Sequence, residues 1–220
     1  MRQRYGLVLR SILTVGELRR GFWLSSLRRC WLFYFLALLV FGAGCGWGAR
    51  DARQLDARDA LRLEEYIAPV IVDGGRDRRS VFHRAALRNT LPLGAMYLAG
   101  LTVIGMPVVA GILLLRGYAL GFTGSFLVCR KGLYGLGVLL AAVLPQNIIL
   151  LVVFVVGAVA SFSFSLLLLQ RWFNSEVAVL PWFLRYTGLM ALLAAAAVGA
   201  GLVEAYVVPG MAQMIVSLVK

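Results

Sequence analysis

The chain has 220 residues, of which 61% are hydrophobic and 15% charged, with a formal net charge of +12. Soluble domains are about half apolar and about a quarter charged, so lipid rather than water is the expected solvent for most of this chain. The charge does not argue for nucleic acid: Met1–Arg29 carries seven Arg against one Glu, whereas Arg50–Arg88 carries nine Arg against seven Asp and Glu. The basic excess therefore lies beside the first apolar block, where anionic headgroups and the positive-inside rule account for it. No nucleic-acid-binding motif accompanies it.

In chain order, residues 1–29 form a basic lead in which Leu7, Leu9, Ile12, Leu13 and Leu18 stand between arginines. That pattern predicts an amphipathic segment lying on the cytoplasmic surface. The first span is predicted over residues 30–47, with Trp31 and Trp47 at the two headgroup levels. Ser26-Leu27-Arg28-Arg29 superficially resembles a twin-arginine signal, and Gly44-Cys45 a lipoprotein site. The apolar run is too long and aromatic for a signal, and Gly42 stands where a lipoprotein site has a large aliphatic residue, so an uncleaved span is expected.

Residues 48–89 make the one extended polar segment, expected on the external side. Leu55, Leu61, Leu63 and Ile67 lie among charges of both signs, which predicts a short helix over Asp51–Tyr66. Pro69 ends it, and Asp73-Gly74-Gly75-Arg76 is a turn. The segment is too short for a catalytic domain and suits the docking of a partner.

The apolar core covers residues 90–215. Between Leu91 and Val128 the only formal charge is Arg116, and Gly105-Met106-Pro107 punctuates the block. Spans are predicted from about 88 to 104 and from about 107 to 128, because about 20 helical residues cross the hydrocarbon. Gly132–Leu169 carries no charge and is interrupted at Pro145-Gln146-Asn147. The part before Pro145 is too short to cross comfortably, which predicts a re-entrant or interfacial half-helix broken by the proline. Residues 147–169 make a full span, and the last runs from Pro181 or Arg185 to Val207, stopped by Pro209. The expected fold is therefore an all-α polytopic membrane helix bundle of five spans, or six if residues 133–144 cross.

Ionisable groups inside a bilayer cost about 2.5 to 3.5 kcal/mol to insert, so Arg116 and Glu204 are candidates for function. They suit an ion pathway or a substrate site, or else a structural role, as a mutually neutralising pair or by snorkelling to an interface. The second reading is favoured, since the spans hold no His and no further acidic residue to complete a relay. His83 lies among arginines in the polar segment and reads as solvated. Gln146 and Asn147 suit either a cavity lining or the repair of carbonyls freed by Pro145. Gly117-x-x-x-Gly121 has the spacing that lets helix backbones approach, within the chain or in a homo-oligomer. Gly124 and Ser161, Ser163 and Ser165 add small residues to the same core. Cys30, Cys45 and Cys129 lack metal or redox spacing. Phosphate loops, HExxH, nucleophile elbows and paired intramembrane carboxylates are all missing from the sequence. Neither catalysis nor a cofactor is expected.

Taken together, Gly105-Met106-Pro107, Arg116-Gly117, Gly121-Phe122-Thr123-Gly124, Leu144-Pro145-Gln146-Asn147, Phe164-Ser165, Leu180-Pro181, Arg185-Tyr186 and Glu204-Ala205-Tyr206 before Pro209 form an ordered series. Over about residues 80 to 215 that series resembles the stage II sporulation protein M family. Leu144-Pro145-Gln146-Asn147 before a long apolar span is its most telling part. Arg116 stands where lysine is common, and Met106 where leucine is. The resemblance implies a multi-pass protein of the bacterial cell membrane, at the mother-cell septum during engulfment. It also implies a scaffold for two peptidoglycan-degrading partners, an amidase and a lytic transglycosylase (stage II sporulation proteins P and D). A small transporter or permease subunit with its site at the broken helices is the alternative, and an intramembrane enzyme a distant third.

Overall fold

The computed structural model describes residues 20–56, 58–59, 61–63, 78–103, 105–173 and 179–207. Most of the basic lead, the turn at Asp73–Arg76, Pro69 and the tail with Pro209 lie outside them. All regular structure among the described residues is helical: α1 (Arg20–Arg53), α2 (Arg78–Gly100), α3 (Gly105–Val138), α4 (Leu144–Phe173) and α5 (Leu180–Leu202). Two π-helical turns, Leu139–Val143 and Val203–Val207, precede α4 and follow α5.

Among the described residues, four stretches are long and apolar enough to cross a membrane: Trp31–Arg53, Gly105–Arg130, Leu144–Trp172 and Leu180–Tyr206. The structure thus gives four such helices and does not establish the expected five or six. The missing one is α2, which has the length but carries Arg78, Arg79, Arg84 and Arg88 along its first half. It is nonetheless part of the bundle. Ala85, Asn89, Leu93, Met96 and Ala99 recur at helical spacing on one buried face, and that face packs on α3, α4 and α5. The first span is also longer than expected, reaching Arg53 rather than stopping at Trp47.

The half-helix expected before Pro145 is corrected. The chain turns at Gly132, whose φ of 54° lies in the region glycine adopts most readily. From Leu133 onward the backbone stays helical through Pro145. A proline ring clashes with the carbonyl four residues earlier and supplies no N–H. Here the π-helical turn ends just before it, with the Leu144 N–H donating to the Leu139 carbonyl five residues back. The extra residue widens the turn and lets the helix continue. The break therefore belongs to the glycine.

Side-chain contacts fix the directions of the helices. Phe41 and Cys45 of α1 lie against Gly117 and Gly121 of α3, so these two run parallel. Leu93 meets Gly157, and Ser161 bonds the Met96 carbonyl, so α2 and α4 also run together. Against them, α5 runs antiparallel, with Tyr186 near Tyr97 and Gly201 near Ala86. α4 is the central strut: 72% of its most apolar window is buried, against 22% for α1 and α3. Its Phe154, Val159 and Phe164 share one core with Leu93, Met96, Leu113, Tyr186 and Met190. The bundle has two ends. The turn end holds Leu101–Val103 between α2 and α3; the loop end holds Arg53, Arg79 and Glu204.

Candidate functional site

Three polar or close-packed arrangements organise the bundle. The first is a charged cluster at the loop-end half. Pro92 lies inside α2 and has no N–H to give to the carbonyl of Arg88 four residues before it. That carbonyl accepts from the Arg116 guanidinium of α3 instead. Arg116 also lies over the Phe154 ring of α4, 4.5 Å from its centroid, a cation–π contact. The Arg88 side chain reaches α5, where its Nη2 donates to Glu204 Oε1 at 2.5 Å. So Arg116 and Glu204 are brought into one cluster, but through Arg88 rather than by direct pairing. Arg88 remains 60% exposed, while Glu204 is 18% exposed. Glu204 Oε2 is buried and has no partner among the described residues, and neither polar atom of the fully buried Asn89 has one.

Toward the turn end lies a hydroxyl node. Ser161 Oγ donates to the Met96 carbonyl at 3.0 Å and lies 3.0 Å from the Tyr186 hydroxyl. Tyr186 in turn donates to the Tyr97 carbonyl at 3.1 Å. Its ring stacks on Phe164 with centroids 4.7 Å apart and on Tyr97 at 5.3 Å. Ser165 Oγ donates to the Thr102 and Val103 carbonyls, pinning the α2–α3 turn. Gly105 closes that turn, where any Cβ would strike the Ala99 carbonyl. Ser163 bonds only within its own helix, to the Val159 carbonyl.

The third is a glycine seam between α1 and α3. A Cβ on Gly117 would strike the Phe41 carbonyl, and one on Gly121 the Cys45 carbonyl. From the other side, a Cβ on Gly44 would strike the Leu114 carbonyl, and one on Gly48 the Tyr118 carbonyl. Both helices thus present Gly-x-x-x-Gly to each other, and backbones meet where side chains would stand. Ser125 Oγ donating to the Ala49 carbonyl and Tyr118 donating to Asp51 extend the seam to the loop end.

The family model of stage II sporulation protein M matches residues 31–209, which takes in all three arrangements. The chain belongs to the stage II sporulation protein M family. No curated protein and no solved structure matches it. Family and helices together make this a sporulation-related, multi-pass membrane protein.

Within this family member the remaining candidates are dispersed. Pro107 is exposed in the first turn of α3, where a proline fits a helix start. Pro145 and Gln146 sit at the start of α4, and Gln146 Oε1 is buried without a partner among the described residues. Asn147 Nδ2 donates to the Val143 carbonyl of the π-helical turn at 2.7 Å, which is not the Ala141 carbonyl that Pro145, lacking an N–H, leaves without its helical donor. Arg185 is exposed, its guanidinium 5.3 Å from the Trp182 ring centroid. Reading the sequence passed over Gly48, Arg88 and Pro92, and named Gly44 and Tyr186 without the helix-joining roles they hold here. The glycine spacing on α1 and a proline four residues after an arginine were signals present in the sequence.

Proposed function

We propose that this protein is a non-enzymatic membrane scaffold that recruits and localises peptidoglycan-degrading enzymes for septal thinning and engulfment. The observation that carries this reading is the anchoring of the polar segment after α1. Leu55 and Leu63 pack with Ala52, Phe122 and Phe126 at the loop end of α3. Asp56, Arg58, Asp59 and Arg62 meanwhile stand exposed. A charged surface of both signs, held against a rigid helix, suits recognition of a partner by charge complementarity. The polar groups of the bundle support the same reading, because Ser161, Ser165, Tyr186 and Arg116 are engaged in joining helices.

The amidase and the lytic transglycosylase are the expected partners. Their recovery with the detergent-solubilised protein should fall when Asp56 and Asp59 become Lys and Arg58 and Arg62 become Glu. Undiminished recovery of both enzymes with that variant would remove the docking role of the segment, and no recovery with the native protein would remove the scaffold. The transporter reading draws on one observation, the unpartnered buried atoms of Asn89, Gln146 and Glu204. Solute flux into liposomes that collapses on Asn89→Leu would favour it.

A further inference from the structure

The exposed face of α2 is sorted by depth. Counting from the α2–α3 turn, Arg88 lies twelve residues from Gly100 and Arg116 eleven from Gly105, each roughly 17 Å along its axis at 1.5 Å per residue. The bond from Arg116 to the Arg88 carbonyl holds the two level. Gly117, next in α3, meets α1 between Phe41 and Cys45. Trp47 lies four residues past the middle of that contact, and Arg84 four residues before Arg88. Both therefore stand roughly 6 Å nearer the loop end. Twelve residues the other way, Trp31 is level with Gly100. Trp31 and Trp47 are both exposed, and tryptophans on the outside of a bundle mark the two headgroup levels. Arg84 is thus at a headgroup level, and Leu87 to Leu98 lie between the two tryptophan levels.

Two kinds of surface meet at that level. Arg84 and Arg79, just over one turn further toward the loop end, are exposed, and neither has an acidic partner among the described residues. Arg88 differs, because Glu204 already neutralises it. Residues 78–173 contain no Asp or Glu, so nothing within α2, α3 or α4 answers Arg79 and Arg84. Deeper in the membrane, Leu87, Leu91 and Leu98 are exposed, and Gly94 leaves open space between the last two. Arginines at the headgroup level attract anionic phosphate, and the furrow at the glycine is open to an acyl chain. The order along the face, cation and then leucine, is the order of a lipid's own anion and tail.

We propose that the outward face of α2 holds one anionic phospholipid, its phosphate on Arg84 and Arg79 and one acyl chain along Leu87, Leu91, Gly94 and Leu98. Charge complementarity selects the headgroup, and the two tryptophan levels place the leucines where acyl chains run. The arginines that make α2 too polar to count as a span by itself become the recognition element of the site. The proposal goes beyond the scaffold reading and does not depend on it.

The test is lipid retention by the full chain in micelles containing dioleoyl phosphatidylglycerol or dioleoyl phosphatidylcholine, read by native mass spectrometry. The first phosphatidylglycerol should be held about fivefold more tightly by the native chain than by Arg84→Gln, the effect of about 1 kcal/mol per arginine near a membrane surface. Arg84→Lys should keep most of that affinity, and phosphatidylcholine should be indifferent to both changes. Arg130→Gln removes an equal charge from an exposed site at the loop end of α3 and should leave retention unchanged. Gly94→Leu keeps every charge, meets open space in the fold, and should weaken phosphatidylglycerol by obstructing the furrow. No loss with Arg84→Gln, or an equal loss with Arg130→Gln, would reduce the effect to the overall charge of the chain and overturn the proposal. Full retention by Gly94→Leu would leave the acyl chain without a seat and overturn it too. Displacement of the lipid by soluble glycerol 3-phosphate would do the same, by making the ligand a free phosphate. So would loss of the wall enzymes from Gly94→Leu with phosphatidylglycerol retained, which would seat a protein helix on this face.

Discussion

The two halves of the bundle are held together by opposite means. Between α1 and α3 the helices join through what is missing, with Gly44, Gly48, Gly117 and Gly121 letting carbonyls and Cα atoms touch. Among α2, α4 and α5 they join through what is present, with Ser161, Tyr186, Ser165 and Arg88 reaching across to carbonyls and to Glu204. Lipid tails are as apolar as leucine, so burying leucine against leucine gives helices in a bilayer little reason to associate. Close backbone packing and interhelical hydrogen bonds are the two remedies, and this molecule uses one on each side of its central strut. The difference teaches that the α1–α3 seam is held by small residues, whereas the α2–α4–α5 side adds bonds to a few close contacts such as Gly100 against Tyr186 and Ser161.

That contrast can be broken most sharply at the seam. Gly121→Leu should cost about 3 kcal/mol or more, at the upper end of overpacking penalties, because the Cys45 backbone rather than a mobile side chain blocks the new atoms. Gly46→Leu, one step around α1 where open space surrounds the Cα, is the matched control and should leave the detergent melting temperature unchanged. Equal melting of the two variants would show that the seam is loose.

On the other side, Tyr186→Phe keeps the stacking on Phe164 and removes only the hydroxyl, so its cost should be about 1 to 2 kcal/mol. Ser161→Ala, combined with it, should add less than its separate cost, since both serve the Met96–Tyr97 carbonyls. Full additivity in that double-mutant cycle would mean the two hydroxyls act independently. Gly132→Ala should cost about 1 to 3 kcal/mol, because nothing crowds the site and only its backbone, with φ 54° and ψ −131°, resists a side chain. The smallest effect has the opposite sign. Asn89→Leu removes two unpartnered buried polar atoms and should raise stability by up to about 1 kcal/mol. A clear drop in melting temperature would instead assign Asn89 a partner such as bound water.

Much of this was legible in the sequence because lipid imposes a coarse rule. The apolar blocks, the glycine at 105 that ends the α2–α3 turn, and Gly117-x-x-x-Gly121 all follow from length, charge and residue size. The structure resolves the choice that the last motif leaves open within one chain: its glycines face α1. Pro145 misled. A proline is a break only if the backbone before it stays in α-register, and the π-helical turn at Leu139–Val143 is a compensation that no local pattern announces. Gly132 could be read as the break only once its φ was known. The pairing of Glu204 was also misread, since Arg116 was the one arginine inside an apolar block while Arg88 stood at the edge of the polar segment.

The sequence by itself determined the solvent, the all-helical class and the family, since these depend on composition and on residue types at fixed spacing. Only the tertiary structure decided which glycines face each other, which arginine meets Glu204, and that α2 joins the bundle despite its charge. Those outcomes depend on rotation and depth of one helix against another, and a linear pattern carries neither. A side chain as long as arginine's spans more than a helical turn, so its partner is set by the neighbour across the groove and not by distance along the chain.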